Sequence, residues 1–302
     1  MQKKYLVACS GGPDSIALLD TYTKKHLVKA VLHINYNYRN SSKRDEIIVR
    51  KYCFKHHLKL YLKTINKKIY QTNKIKNFEA WARKKRYDFF YFIAKLINTK
   101  RILIAHHLDD FIETSIMQIR KNHFRNFYGI KKNSYYKKLK ITRPFLKKFD
   151  KKQILNYCKK NHLKYGIDET NYDLRYERNY IRNILQKGQN KKNHILLLIN
   201  NLNYRLKIIN NEITSLYKKW KNTYFTLEFI NNLVYKQQIY LLKKYLYLHH
   251  IKNISLNKIN NIIAFLNSQL NQKELRIANK KFLVKQTKIL NNKNKIHVLY
   301  II

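Results

Sequence analysis

Glycine is scarce in this chain, five residues among 302, and proline is scarcer still with two. That scarcity gives weight to the place where two glycines adjoin, Gly11 and Gly12 in the stretch LVACSGGPDSIALL, Leu6 to Leu19. Cysteine is limited to Cys9, Cys53 and Cys158, an odd number spread far apart. The lack of a C-x-x-C pair argues against zinc or a dithiol couple and fits a reducing interior. Hydrophobic runs stop well short of a membrane span, and MQKKYLVACSGG enters an apolar run without the organisation of a signal peptide. A soluble, cytoplasmic protein with no membrane partner is expected. Acidic residues are few: 17 Asp plus Glu against 64 Lys plus Arg give a formal charge of +47. Such a field favours polyanions, nucleic acid first among them. A coding bias toward Lys, Asn, Ile and Tyr explains the same charge with no partner at all, so charge leaves both readings open.

What is present alternates. Short apolar runs, KYLVACS, KAVLHINY, KLYLKTI, RILIAHH and KITRPF, are separated by longer segments whose apolar positions recur at three and four residues. That order predicts βαβ units and an α/β fold with a doubly wound parallel sheet, whose ligands bind beyond the carboxyl ends of the strands. Asp150 with Gln153 three residues on reads as a capping box opening a helix. From about Asn190 the pattern becomes a long basic amphipathic helix, then further helices and two short extended runs. The expected organisation is a doubly wound domain over 1–189, a linking helix over 190–220, and a small helical or α+β domain over 221–302.

Ser10-Gly11-Gly12-Pro13-Asp14-Ser15 joins the first strand to the first helix. A turn without Cβ atoms at such a junction lets backbone N–H groups converge on an anion, and the helix dipole favours negative charge there. Ser10 and Ser15 add hydroxyls. Asp14 repels a bare phosphate, so its presence implies a magnesium ion between carboxylate and phosphates. A second constellation, AHHLDDFIET, sets Asp109, Asp110 and Glu113 at spacings of three and four, together on the first turn of a helix. Carboxylates so placed can hold a magnesium ion or an ammonium group, and they also serve simply as favourable charge at a helix start.

The loop S-G-G-P-D-S resembles that of the PP-loop ATP pyrophosphatases, and AHHLDDFIET resembles the H-H-x-D-D-x-x-E-T motif of the tRNA(Ile)-lysidine synthase family. LHINYNYR, NFEAWARKKRYDFF, ITRPFL and DETNYDLRYERNYIRN follow in family order. The resemblance implies ATP as substrate with Mg2+, an isoleucine tRNA with a CAU anticodon, and free lysine ligated to C2 of the first anticodon cytidine through an adenylated intermediate. Carried over position by position, Ser10, Gly11, Gly12, Pro13, Asp14, Ser15 and His33 fall to ATP. Asp14, Asp110 and Glu113 fall to catalysis, and Asp14 and Asp110 to the metal. Arg83, Arg86, Arg178 and Arg182 fall to tRNA or phosphate. Tyr36 and Phe111 depart from the family pattern, and the sequence leaves monomer and homodimer both open. Two other readings remain: a tRNA thiolase on the same loop, which needs a cysteine set absent here, and an RNA-binding protein without catalysis.

Overall fold

The structure, a computed structural model, describes residues 4–38, 41–66, 69, 77–121, 125–167, 177–186, 188–251, 254–268, 274–277, 280–288 and 295–301. The part of the family-like segment from Asp168 to Tyr176 and the Asn-rich tract 291–294 lie outside them. The chain divides into two compact units, Met1–Met117 with Gly129–Asn193, and Gln118–Tyr128 with His194–Ile302.

Unit 1 is built on a six-stranded sheet of β1 (Tyr5–Ala8), β2 (Val28–Asn35), β3 (Leu60–Thr64), β4 (Arg101–Leu103), β5 (Asn133–Tyr136) and β6 (Leu139–Thr142). Their order is β3-β2-β1-β4-β6-β5. All neighbours are parallel except β5, which pairs antiparallel with β6 at the edge. The helices are α1 (Pro13–Thr23), α2 (Ser42–Lys55), α3 (Phe78–Leu96), α4 (Leu108–Arg120), α5 (Lys151–Lys160) and α6 (Glu177–Gln186). Alternate strand residues feed two separate cores, as a doubly wound sheet requires. Val7, Val31 and Leu103 pack with Ile16 and Leu19 of α1, Val49 and Cys53 of α2, and Ile154 and Cys158 of α5. Their neighbours Leu6, Leu32 and Ile102 face Tyr87, Phe90 and Ile93 of α3 on the other side. The capping box at Asp150 is present in full.

The shortage of glycine shows in how helices end. His26, His57, Asn98, His162 and His250 all adopt positive φ, between 47° and 65°. In each case the next residue's N–H reaches back five residues: Leu27 to Tyr22 O, Leu58 to Cys53 O, Thr99 to Ala94 O, Leu163 to Cys158 O and Ile251 to Leu246 O, at 2.8–3.0 Å. These are Schellman closures with histidine or asparagine where glycine is usual.

One polar knot fastens α1, α2 and α5. Asp20, buried on α1, accepts from Tyr52 Oη at 2.9 Å and Tyr157 Oη at 2.6 Å, and pairs with Lys24 at 2.9 Å. Burial alone would raise its carboxyl, but these donors outweigh it and hold the group below the usual range. The stabilisation is therefore full above the unfolded-state value near 4 and is lost as pH falls through it toward the folded one. Asp20→Ala is expected to destabilise unit 1 by about 1–3 kcal/mol, because two half-buried hydroxyls lose their buried acceptor. Urea melts at pH 7 and pH 3 check this, the difference between wild type and variant shrinking at the lower pH.

Unit 2 gathers α7 (Gln189–Asn222), α8 (Leu227–Asn231), α9 (Tyr235–Leu248) and α10 (Leu256–Asn267), with β7 (Glu274–Ile277), β8 (Lys280–Lys288) and β9 (Lys295–Ile301) in a three-stranded antiparallel sheet. From His194 onward α7 belongs to this unit. Trp220 is its fully buried centre, stacked edge-on against Phe225 with centroids 5.1 Å apart and donating Nε1–H to Thr226 O at 2.8 Å.

Candidate active site

The strand order explains why two motifs ninety-odd residues apart in sequence meet. β1 and β4 are neighbours, and chain connections leave them in opposite directions, so the loops after these strands share a crevice at the carboxyl edge of the sheet. The loop after β1 and the first turn of α1 carry Ser10–Asp14, and the loop after β4 and the first turn of α4 carry His106–Asp110. β6, next to β4, adds Arg143 and the start of α5.

In the first loop Gly11 has φ +92°, and a Cβ there would come within 2.8 Å of Asp45 O. Gly166 N donates to Gly11 O at 2.9 Å, and a Cβ on Gly166 would sit 1.9 Å from Asp45 Oδ1. Glycine at both positions lets two loops and α2 close upon each other. The Ser15 hydroxyl, expected as a donor to phosphate, donates instead to Gly12 O at 2.9 Å and accepts from Ser10 N at 3.1 Å. It stitches the turn that presents the first N–H groups of α1. Pro13 opens α1 at the position where a missing N–H costs nothing. His33 is buried, its Nδ1 2.8 Å from Cys9 O. Burial lowers its affinity for a proton, so it supports the strand end from beneath the loop.

His107 is the hub of the second loop. Its Nε2 lies 3.9 Å from Asp14 Oδ2 and 3.5 Å from Asp110 Oδ2, and its Nδ1 3.4 Å from Asp109 Oδ2. Burial opposes charge on this imidazole, but the three carboxylates outweigh it and raise its pKa. The adjacent His106 is the reverse case. Burial, with the charges of Arg143 and Arg178, pushes it down to about 4, and its Nδ1 accepts from Arg143 Nε at 3.0 Å. Asp109 accepts from Lys151 N at 2.7 Å and pairs with Lys192. Burial works to raise Asp109, yet His107, Lys192 and Lys151 N hold it far below the carboxylate range. Lys151 Nζ donates to Asp14 Oδ1 at 2.6 Å.

Glu113 has no solvent exposure. It accepts from Arg178 Nε at 2.7 Å and from Arg182 Nε at 2.9 Å, while Arg178 Nη2 donates to Asp110. Burial would raise Asp110, but His107 and Arg178 prevail and lower it. The two arginines expected as a phosphate clamp thus lie on the acidic pair in this structure. Arg83 and Arg86 are exposed on α3, their guanidinium carbons 4.9 Å from the Tyr87 ring and 5.9 Å from the Tyr36 ring. Sequence reasoning missed Lys151, Lys192 and Arg143. Only Arg143 carried a signal, its place in the quoted ITRPFL.

A small-residue loop at the switch point of such a sheet defines a nucleotide-binding domain of the PP-loop class, and the family model described as PP-loop domain matches residues 1–188. The chain is 38% identical to the tRNA(Ile)-lysidine synthase of Mycoplasmopsis pulmonis over 94% of its own length and 98% of that protein's. It is 37% identical to that of Malacoplasma penetrans over 99% of each. The chain belongs to the tRNA(Ile)-lysidine synthase family. Among solved structures, the U34-tRNA thiolase NcsA from Methanococcus maripaludis matches with a TM-score of 0.53 over 67% of this chain and 74% of that one. At 16% identity that likeness concerns the fold alone.

Proposed function

We propose that this protein is an ATP-dependent ligase that joins free lysine to C2 of the first anticodon cytidine of a CAU-anticodon isoleucine tRNA. The observation that carries the reading is the meeting of the PP-loop with an acidic, histidine-centred cluster at one switch point, in a chain related along its whole length to enzymes of that name. Cytidine O2 attacks the α-phosphorus of ATP and pyrophosphate leaves. The lysine amine then attacks C2, AMP leaves with O2, and the nitrogen sheds a proton. The glycine loop and the α1 dipole bind the leaving phosphates. Asp110 and Asp14, around His107, receive cationic groups: the ammonium of lysine before it is deprotonated, and the magnesium that ATP carries. The donors fit that ion, because magnesium takes one or two carboxylates and completes its shell from phosphate and water. When bound, it neutralises charge developing on the phosphates.

The thiols weigh against sulfur transfer. Burial raises Cys9 to about 11, Cys53 to about 12 and Cys158 to about 11, so all three are neutral core groups. Among the described residues no helix is long and apolar enough to cross a membrane. The chemistry draws on ATP, lysine and tRNA, which meet in the cytoplasm. Unit 1 supplies every residue given a role in the chemistry, so the reading holds for a monomer and for a homodimer alike; unit 2 is the proposed tRNA grip. The experiment is pyrophosphate release from ATP with and without the CAU transcript. Release that needs the RNA supports the reading, and release indifferent to RNA contradicts it.

A further inference from the structure

The aromatic side chains of α3 fall into two sets. Tyr87, Phe89 and Phe90, in its middle, are 3–7% exposed and fill the core on that side of the sheet. Phe78 and Trp81, in its first turn, instead gather with Tyr36 and Tyr38, which follow the last residue of β2. Tyr38 stacks on Phe78 with ring centroids 4.3 Å apart and planes 16° from parallel. Tyr36 meets Phe78 edge-on at 6.1 Å, and Trp81 lies 5.8 Å from Phe78. The stack ends in solvent, because Tyr38 remains 52% exposed. Cations flank the rings: Lys85 Nζ is 5.8 Å from the Trp81 ring and the Arg86 guanidinium carbon 5.9 Å from that of Tyr36.

Hydrogen bonds fix this arrangement. Tyr36 Oη donates to Ala82 O at 2.7 Å, holding its ring against α3. Asn37 turns the chain at φ 50°, its N–H donating to Asn35 Oδ1 at 2.8 Å and its Nδ2 to Ile65 O at 3.2 Å. Asn77 caps α3 by accepting from Ala80 N at 3.0 Å. The place is also telling. β2 adjoins β1 in parallel, so Tyr36 and Tyr38 leave the sheet at the same carboxyl edge as the glycine loop. Glu79 and Arg83, four apart on α3, face the acidic site: the Glu79 charge acts on Arg178, and the Arg83 charge on His106 and Arg143. Phe78, Trp81 and Lys85 form the neighbouring stripe of the same helix. Exposed aromatic rings interleaved with cations, fixed in advance at the rim of a nucleotide site, match the stacking surfaces that single-stranded nucleic acid uses.

We propose that Tyr38, Phe78 and Trp81 form a stacking platform for one unpaired nucleobase of the RNA loop that carries the reacting cytidine, with Lys85 beside its phosphate. The identity of that loop rests on the ligase reading; the affinity of the rings for an unpaired base does not.

Full-length wild type, Tyr38→Leu and Tyr38→Phe are titrated with the CAU transcript, and with transcripts that lack the base at each anticodon-loop position in turn, the reacting cytidine excepted. Tyr38→Leu is expected to bind the intact transcript about 5- to 30-fold more weakly. Its salt slope stays that of wild type, because the ring carries no charge. Tyr38→Phe keeps the ring and binds within about twofold of wild type. At one position the missing base costs wild type as much as Tyr38→Leu does, and the two losses do not add. Trp81 fluorescence, taken as the difference between wild type and Trp81→Phe, is quenched by the intact transcript and not by the one lacking that base. Tyr38→Leu binding within twofold of wild type, a loss in Tyr38→Phe equal to that in Tyr38→Leu, or a Tyr38→Leu loss undiminished on every abasic transcript overturns the platform while lysine transfer by wild type keeps the ligase reading. Wild type that transfers no lysine overturns the ligase reading instead, and the Trp81 signal with a short unpaired RNA then decides the platform: quenching supports it, and no quenching overturns it.

Discussion

Asp110→Ala is expected to lower product formation by about 1,000-fold, with RNA affinity nearly unchanged. The carboxylate stands at the start of α4, faces His107 at 3.5 Å and takes a guanidinium N–H from Arg178. Its alanine replacement removes the negative charge that the proposed chemistry sets against the lysine ammonium and the magnesium, and it leaves Arg178 with Glu113 alone. RNA affinity survives because a chain of net charge +47 draws it from many phosphate contacts. Single-turnover lysine transfer at saturating RNA, with a parallel binding titration, separates the two effects. Turnover within tenfold of wild type, a ceiling of about 1.4 kcal/mol on the residue's contribution, would remove Asp110 from the chemistry. Asp14→Ala, which also frees Lys151, is the matching variant on the loop side.

Glu113→Ala carries the largest expected cost in stability. Removing one partner of a buried ion pair costs about 3–5 kcal/mol because the other charge is left behind. Here the guanidinium groups are partly exposed, with side-chain exposures of 42% for Arg178 and 27% for Arg182, so water recovers part of that loss. A destabilisation of about 2–4 kcal/mol is the result after that discount. A double-mutant cycle with Arg178→Met measures the coupling directly. Strong non-additivity is expected, and additive effects would show that the pair contributes nothing. The same contact gives α6 a chemical meaning. Arg178 lies on Asp110, a carboxylate assigned to the substrate amine, so ligand binding and the position of α6 are linked.

The loop, the acidic motif and the alternation of strand and helix were legible because each is local: a turn without Cβ atoms, carboxylates on one helical face, apolar residues at two recurring periods. Pairing was not. Arg178 and Arg182 are one helical turn apart, which says that they share a face but not that the face meets Glu113. Lys192 sits in the first turn of a long helix like any surface lysine, yet it is buried against Asp109 and Asp150. The β5–β6 hairpin escaped for a different reason. Its turn uses Lys137 at φ 52° where glycine or asparagine would have announced it. Gly166 had no motif around it at all, and its role appears only when Asp45 is seen against it. The observed parallel sheet therefore came from periodicity, while the antiparallel edge and the ion-pair geometry came from tertiary contacts that no spacing encodes.

The central claim is tested most directly by incorporation of labelled lysine into an unmodified CAU-anticodon isoleucine transcript with ATP and magnesium, against a methionine tRNA with the same anticodon. The account predicts label on the isoleucine transcript alone, with AMP released in equal amount. ATP consumed with no lysine in the RNA would contradict it and point to a different nucleophile on the same loop.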